Sequence, residues 1–349
     1  HGFVVECHGD LHLGNIAQVD GRPTVFDAVE FNEGFRWSDV ICDVAFLVMD
    51  LRHRGFERLA YQFLNTWLEV TGDYAGLRLL PYYVAYRAMV RGKVAAIRAA
   101  QIAAADSNVA DGSNAPIGMN ATSGTTDRLP GRRHAEQLCR DYLALADASG
   151  APEHGERPRL ILMHGLSGSG KTLASGLLAR AIGAIRVRSD VERKRLHGVT
   201  PNDHSAAGSA MYGSAASEAT YARLADLAHT AIEAGCSVII DATFLARTER
   251  ARFVALGRAL NAITAIVDLK ASPHTLRARV AERSAHGHDA SDADLDVLDG
   301  QLARDDVVLV TEADLVLRVD SDRRIDDDTL LPVAAALTGC ARPDPTPAA

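Results

Sequence analysis

From residue 159 onward, apolar runs of strand length alternate with stretches whose apolar positions recur every three or four residues. The runs are "RLILMHG", "AIRVRSD", "CSVIIDATF", "AITAIVDLKA" and "ADLVLRVDS". Between them, "KTLASGLLARAIG", "ASEATYARLADLAHTAIEAG" and "RTERARFVALGRALN" carry the helical period. Strands alternating with helices in this β-α-β-α order predict a parallel sheet covered by helices on both faces, an α/β fold.

Before residue 150 the pattern differs. Two strand-like pieces, "FVVECHG" and "PTVFDAVEF", flank a turn at "VDGRP" and are expected to pair as a hairpin. The remainder reads as helix. "SDVICDVAFLVMDLRHRG" opens on Ser38 as N-cap, repeats apolar residues at Ile41, Val44, Ala45 and Val48, and closes at Gly55. "ERLAYQFLNTWLEVTG" and "LPYYVAYRAMVRGKVAAIRAAQIAAA" are two more amphipathic helices. Residues 106–133 are polar, glycine-rich and without period, which predicts a flexible insert. A helix over "HAEQLCRDYLALADA" follows, and "SGAPEHGERP" breaks the pattern. The expected division is a mostly helical unit at 1–150, an α/β unit at 151–340 and a Pro-rich, disordered tail at 341–349.

A length of 349 residues fits two domains, and 47% hydrophobic with 23% charged residues is a globular balance. The net charge of -8 argues against a general nucleic-acid or anionic-membrane binder. No apolar stretch is long enough to span a bilayer, and no signal peptide opens the chain. Cys7, Cys42, Cys139, Cys236 and Cys340 are odd in number and far apart. They read as reduced thiols of a cytoplasmic protein. The chain opens at His1 inside a strand-like run, so a longer chain upstream is expected.

The first strand of the α/β unit runs into "HGLSGSGKT". The spacing is G-x-x-x-x-G-K-T from Gly165 to Thr172, with Ser167, Gly168, Ser169 and Gly170 inside it. Glycines let a backbone curl its N–H groups around phosphate oxygens without side-chain clash. Lys171 then reaches the outer phosphates of ATP, Thr172 ligates Mg²⁺, and the helix that follows presents its positive end. A second strand delivers Asp190 to the same rim, with Arg193 one helical turn beyond. A carboxylate there can take a proton from an acceptor hydroxyl, although an aspartate can also simply cap a helix. A third strand delivers Asp241, which suits Mg²⁺, with Thr243 close to substrate. Arg277, Arg279 and Arg283 recur on a helix leading into a His-, Gly- and Asp-rich loop, the layout of a closing lid. At least one of the three is expected on a solvated face. His286 and His288 lack metal-site spacing and read as loop residues.

The pieces "GLSGSGKT", "SDVERKR", "DATF" and the arginine-rich lid resemble the P-loop small-molecule kinases, the group holding gluconate kinase, polynucleotide 5′-kinases and the zeta-toxin-like kinases. The resemblance implies transfer of an ATP γ-phosphate to a hydroxyl, with Asp190 as base. It does not name the acceptor.

In the first unit, "CHGDLHLGNI" carries His8, Asp10, His12 and Asn15, and the following strand carries Asp27 and Glu30. An Asp base, an Asn on Mg²⁺ and a second Asp on Mg²⁺ is the order of a kinase catalytic loop. An H-D-H metal site is the alternative. "HGDLHLGN" is similar to the Brenner-type motif H-G-D-x-H-x-x-N of the aminoglycoside phosphotransferase family. That resemblance implies Asp10 as base, and Asn15 and Asp27 on Mg²⁺. The family's N-terminal lobe, with its nucleotide-gripping lysine, has no counterpart here, so no activity attributable to Asp10 is expected of this chain. The order of the halves resembles bacterial fusions of such a lobe with an AAA-family ATP-binding domain. The expected function is an ATP-dependent phosphotransferase acting on a small hydroxylated molecule. A nucleotide-driven switch and a polynucleotide 5′-hydroxyl kinase are the alternatives.

Overall fold

In the computed structural model, Arg159–His164 is a strand buried at all six positions, with the apolar Leu160, Ile161, Leu162 and Met163 between its polar ends. The structure describes residues 3–110, 128–150, 157–200, 213–286 and 295–339. The expected tail at 341–349, His288 and most of the expected insert lie outside them. By packing, the chain forms two units: residues 1–56 with 79–154, and residues 57–78 with 155–349.

The first unit holds β1 (Val4–Glu6), β2 (Ile16–Val19), β3 (Arg22–Val25), α1 (Glu33–Arg36), β4 (Trp37–Asp39) and α2 (Val40–His53). Its expected hairpin forms differently. The turn at Asp20–Gly21 has φ of +51° and +76°, the left-handed pair of a primed two-residue turn. Such a turn joins only the strands directly beside it, so β3 pairs with β2, Ile16 opposite Val25. β1 pairs instead with β4, Val4 opposite Asp39. Residues 37–39 are therefore strand rather than helix start. Asp39, not Ser38, caps α2 through its Oδ1, which accepts the Ile41 N–H at 3.2 Å. α2 is buried from Ile41 through Leu51.

α3 (Glu57–Thr71) belongs to the second unit, although its sequence lies before residue 150. Asn65 is the reason. Its Nδ2 donates to Ala184 O at 2.9 Å and its Oδ1 accepts the Arg186 N–H at 2.7 Å. One buried amide thus satisfies two backbone groups on an edge strand. Glu69 adds ion pairs to Arg186 and Arg188, both at 2.8 Å. α4 (Leu80–Ala110) and α5 (Arg128–Gly150) complete the first unit. Helix extends into both ends of the expected insert: α4 runs five residues past Ala105, to Ala110, and α5 starts before His134.

The second unit continues with β5 (Arg159–His164), α6 (Lys171–Ile182), β6 (Ile185–Arg188), α7 (Ser189–Leu196), α8 (Ser214–Glu233), β7 (Val238–Asp241) and α9 (Arg247–Ala259). β8 (Ile263–Lys270), α10 (Pro273–His286), α11 (Leu295–Leu302), β9 (Leu315–Asp320) and α12 (Asp327–Gly339) follow. The sheet is parallel throughout, in the order β6-β7-β5-β8-β9, with helices packed against it. One face packs Ile161, Met163, Ile239 and Val267 against Ala174 and Leu178 of α6 and Leu330 and Val333 of α12. β5 is central, and the chain returns to its two sides in turn. The loop after β5 therefore opens at the point where open parallel sheets bind ligands.

Among the described residues, no helix is long and apolar enough to cross a membrane. Cys7, Cys42, Cys139 and Cys236 are free thiols.

Candidate active site

Gly165, Gly168 and Gly170 have φ of +147°, +82° and +84°, a region side chains resist. A Cβ on Gly168 would stand 2.8 Å from the backbone oxygen of Leu276, and one on Gly165 would stand 2.8 Å from that of Leu269. The spacing of glycines is thus a steric requirement of the loop. Gly170 is also the N-cap of α6 and has no side chain to satisfy the first N–H groups of that helix. Those donors, with the positive end of the helix dipole, face the loop. Lys171 arches back so that its Nζ donates to Leu166 O at 2.8 Å. Ser169 Oγ is buried and has no hydrogen-bond partner among the described residues.

A cavity of about 800 Å³ opens on this loop. It is lined by Lys171, Thr172, Asp190, Arg193, Asp241 and Arg279, among others. The residues singled out on three separate strands are thereby brought together. Asp241 ends β7, is 6% exposed, and its Oδ2 accepts the Ser175 hydroxyl at 2.9 Å. Asp190 is the second residue of α7, whose N-cap is Arg188, so Asp190 is not the cap residue. Burial pushes its carboxyl above the usual carboxylate range, against the opposing pull of the Arg193 guanidinium, and the Asp241 charge adds to the rise. Thr243 also lines the cavity. Tyr221 lines it too, and its hydroxyl lies 3.2 Å from the Phe244 N–H.

The lid arginines separate. Arg277 pairs with Asp299 at 2.8 Å on an exposed surface. Arg279 reaches the loop, with Nη1 3.4 Å from Gly168 O. Arg283 and His286 lie on α10, and their side chains are outside the described set. Ser167 does not turn its N–H into the cavity as a free donor. The group donates to Gln301 Oε1 at 2.8 Å. Gln301 sits at the end of α11 and escaped the sequence reading, since a lone glutamine carries no spacing signal. His164, fully buried, escaped it as well. Its Nδ1 lies 2.7 Å from Asp268 Oδ1 and its Nε2 3.1 Å from Asp305 Oδ1.

In the first unit, Asn15 Nδ2 donates to Asp10 Oδ2 at 3.1 Å and to Asp10 O at 3.0 Å. The Phe26 N–H donates to Asn15 O at 3.0 Å, which brings the strand end carrying Asp27 beside them. Asp27 itself has φ of +61°. His12 Nε2 lies 3.4 Å from Asp10 Oδ2. The loop is held from below by two acids of α2. Asp43 accepts the His8 and Gly9 N–H groups, and Asp50 accepts that of Leu13. Among the described residues, no group of three or more His, Cys, Asp and Glu side chains is arranged to hold a metal.

A family model described as an AAA domain matches residues 160–307. An uncharacterized protein of Mycobacterium tuberculosis (strain ATCC 25618 / H37Rv) is 32% identical over 297 residues, which is 83% of this chain and 52% of that protein. A protein of Mycobacterium bovis matches to the same extent. The chain thus spans about half the length of the curated relatives it matches. Among solved structures, a sugar kinase from Janibacter sp. HTCC2649 is 18% identical, with a TM-score of 0.39 over 53% of this chain and 96% of that chain. A gluconokinase from Sinorhizobium meliloti 1021 is 16% identical, with a TM-score of 0.37 over 54% of this chain and 99% of that chain.

Proposed function

We propose that the second unit is an ATP-dependent kinase that moves the γ-phosphate to a hydroxyl of a small-molecule acceptor. One observation carries the reading. A single cavity joins a glycine loop ending in Lys171 and Thr172 to Asp190, a carboxylate whose proton affinity is raised by burial. A phosphate loop alone suits any nucleotide-binding protein. A proton-accepting carboxylate lining the same cavity suits transfer to a hydroxyl.

In this reading the α6 N–H groups and Lys171 Nζ hold the β- and γ-phosphates. Thr172 and Asp241 offer only oxygen donors, and Ser175 orients the carboxylate, so the set fits Mg²⁺. When bound, that ion would neutralise charge on the outer phosphates. Asp190 accepts the hydroxyl proton as the acceptor oxygen attacks. Arg193 and Arg279 meet the negative charge spread over the transferring group. The first unit is proposed as an aminoglycoside phosphotransferase-like lobe, supported by "HGDLHLGN" and the Asn15–Asp10 hydrogen bond.

The test is a screen of sugars, nucleosides and other hydroxylated molecules with labelled ATP, run on the wild type beside Asp190→Ala. The expected result is acceptor-stimulated transfer that Asp190→Ala loses while still binding ATP. Slow turnover that no acceptor stimulates would instead mark a nucleotide-driven switch.

A further inference from the structure

A backbone N–H can only donate. The Gln301 side chain must therefore turn its oxygen, not its NH₂ group, toward Ser167, and the 2.8 Å contact fixes which end is which. The Nε2 donors then point the other way from a side chain that itself lines the cavity. Among the described residues, Nε2 has no hydrogen-bond partner. The segment carrying Gln301 is tied down a second time four residues later, where Asp305 Oδ1 meets His164 Nε2 at 3.1 Å. His164 is in turn held by Asp268 at 2.7 Å. The two anchors, His164 and Ser167, stand on either side of Gly165. Gln301 is thus a neutral donor pair on the wall of the cavity that opens on the phosphate loop, its oxygen held by that loop itself.

We propose that Gln301 is a further catalytic residue for phosphoryl transfer, its Oε1 anchored on Ser167 and its Nε2 donating to an oxygen of the terminal phosphate. The inference rests on the proposed nucleotide site. As the bond from the γ-phosphorus to the β-phosphate oxygen breaks, one to the acceptor oxygen forms and Asp190 takes the hydroxyl proton. The charge on the equatorial oxygens grows during that exchange, and a pre-positioned donor there lowers the barrier. The loop and α11 then act together, because the donor is in place only while Ser167 holds it.

Two variants separate donation from anchoring. Gln301→Glu keeps an oxygen for the Ser167 N–H and loses the donors. Gln301→Ala loses both. Three quantities are read for each: ADP affinity by calorimetry, the gain in that affinity on adding aluminium fluoride with Mg²⁺, and acceptor-independent turnover of Mg·ATP. Melting temperature is the folding control. Both variants are expected to keep ADP affinity and melting temperature, to lose the aluminium fluoride gain, and to lose about 10²-fold in turnover. Wild-type turnover in Gln301→Glu overturns the proposal, because the oxygen anchor alone then suffices. A parallel fall of melting temperature and ADP affinity in both variants also overturns it, since Gln301 would then be a structural tie. Failure of the wild type to bind ADP is a separate result that removes the nucleotide site itself.

Discussion

The Oγ of Ser175 lies 2.9 Å from Asp241 Oδ2, and the two side chains are 0% and 6% exposed. The same oxygen lies 3.1 Å from Thr172 O. A hydroxyl has one proton, and the charged acceptor is the stronger claim on it. Ser175 thus clamps the β7 carboxylate to α6, on the turn that begins with Lys171 and Thr172. Ser175→Ala gains a few tenths of a kcal/mol in helix propensity. It loses a hydrogen bond to a charged group worth about 1.5–3 kcal/mol. The expected outcome is a lower urea midpoint, together with a higher Mg²⁺ concentration for half-maximal turnover. Mg²⁺ dependence identical to wild type would detach Asp241 from the metal.

Lys171 is the one cation that belongs to the loop sequence itself, and its Nζ already sits over the loop at Leu166 O. Lys171→Ala is expected to weaken Mg·ATP binding by about 10- to 100-fold, the equivalent of one charge-assisted hydrogen bond. Isothermal calorimetry reads it directly. Unchanged affinity would sink the phosphate-loop assignment.

The α/β unit was legible because its signals are local. β5, β6, β7, β8 and β9 fall inside the five strand-like runs, whose apolar residues fill most of the buried positions even where the edge strands β6 and β9 carry Arg186, Arg188 and Arg318. The glycine spacing of the loop was legible for the same reason: positive φ and close backbone approach at Gly165 and Gly168 exclude other residues. What escaped was set by tertiary pairing. The apolar residues of β1 have no periodicity that distinguishes β3 from β4 as partner. α3 reads as one more helix of the first unit until Asn65 is seen on the backbone of β6. Asp43 and Asp50 sit in an apolar helix as apparent exceptions, and only the folded loop explains them by supplying N–H groups. Gln301 and His164 are single residues whose partners lie 134 and 141 positions away, too far for any spacing rule.

Gly257 lies inside α9, where alanine is favoured over glycine by about 1 kcal/mol. Propensity alone makes Gly257→Ala stabilising. The position is, however, where the helix crosses β8 and β5. An added Cβ would overlap the Thr264 Cγ2 methyl and come within 3.4 Å of Leu160 Cδ2. Thr264 cannot turn away freely, because its hydroxyl accepts the Asp314 N–H at 3.2 Å and lies 2.9 Å from Asp314 Oδ2. Overpacking typically costs about 1–3 kcal/mol. Chemical denaturation is therefore expected to place Gly257→Ala below wild type, and a higher midpoint would mean that the close approach is relaxed in solution.

Asp190 separates stability from activity. Its carboxyl titrates above the usual carboxylate range in the folded chain, chiefly because burial disfavours the charge. The folded state therefore holds this proton more tightly than the unfolded chain does. The sign follows from linkage. Relative to acid conditions, the group's contribution to stability is lost as pH rises from the unfolded value through the raised folded one. Above the ordinary carboxylate range, Asp190 therefore lowers the stability of the folded chain. Asp190→Asn removes the ionisable group and keeps the shape. It also forfeits a favourable interaction with the N-terminal end of α7, about 0.3–1 kcal/mol. Burial is the larger influence, so Asp190→Asn is expected to melt higher than wild type at neutral pH, with the difference shrinking toward pH values below the ordinary carboxylate range. Turnover should move the opposite way. A general base is worth about 10²–10⁴-fold, and the amide cannot replace it. A variant that is more stable, binds ATP and transfers no phosphate is the outcome that fits a base. One that keeps full activity leaves Asp190 as a first-turn residue of α7 and moves the reading toward a nucleotide-driven switch.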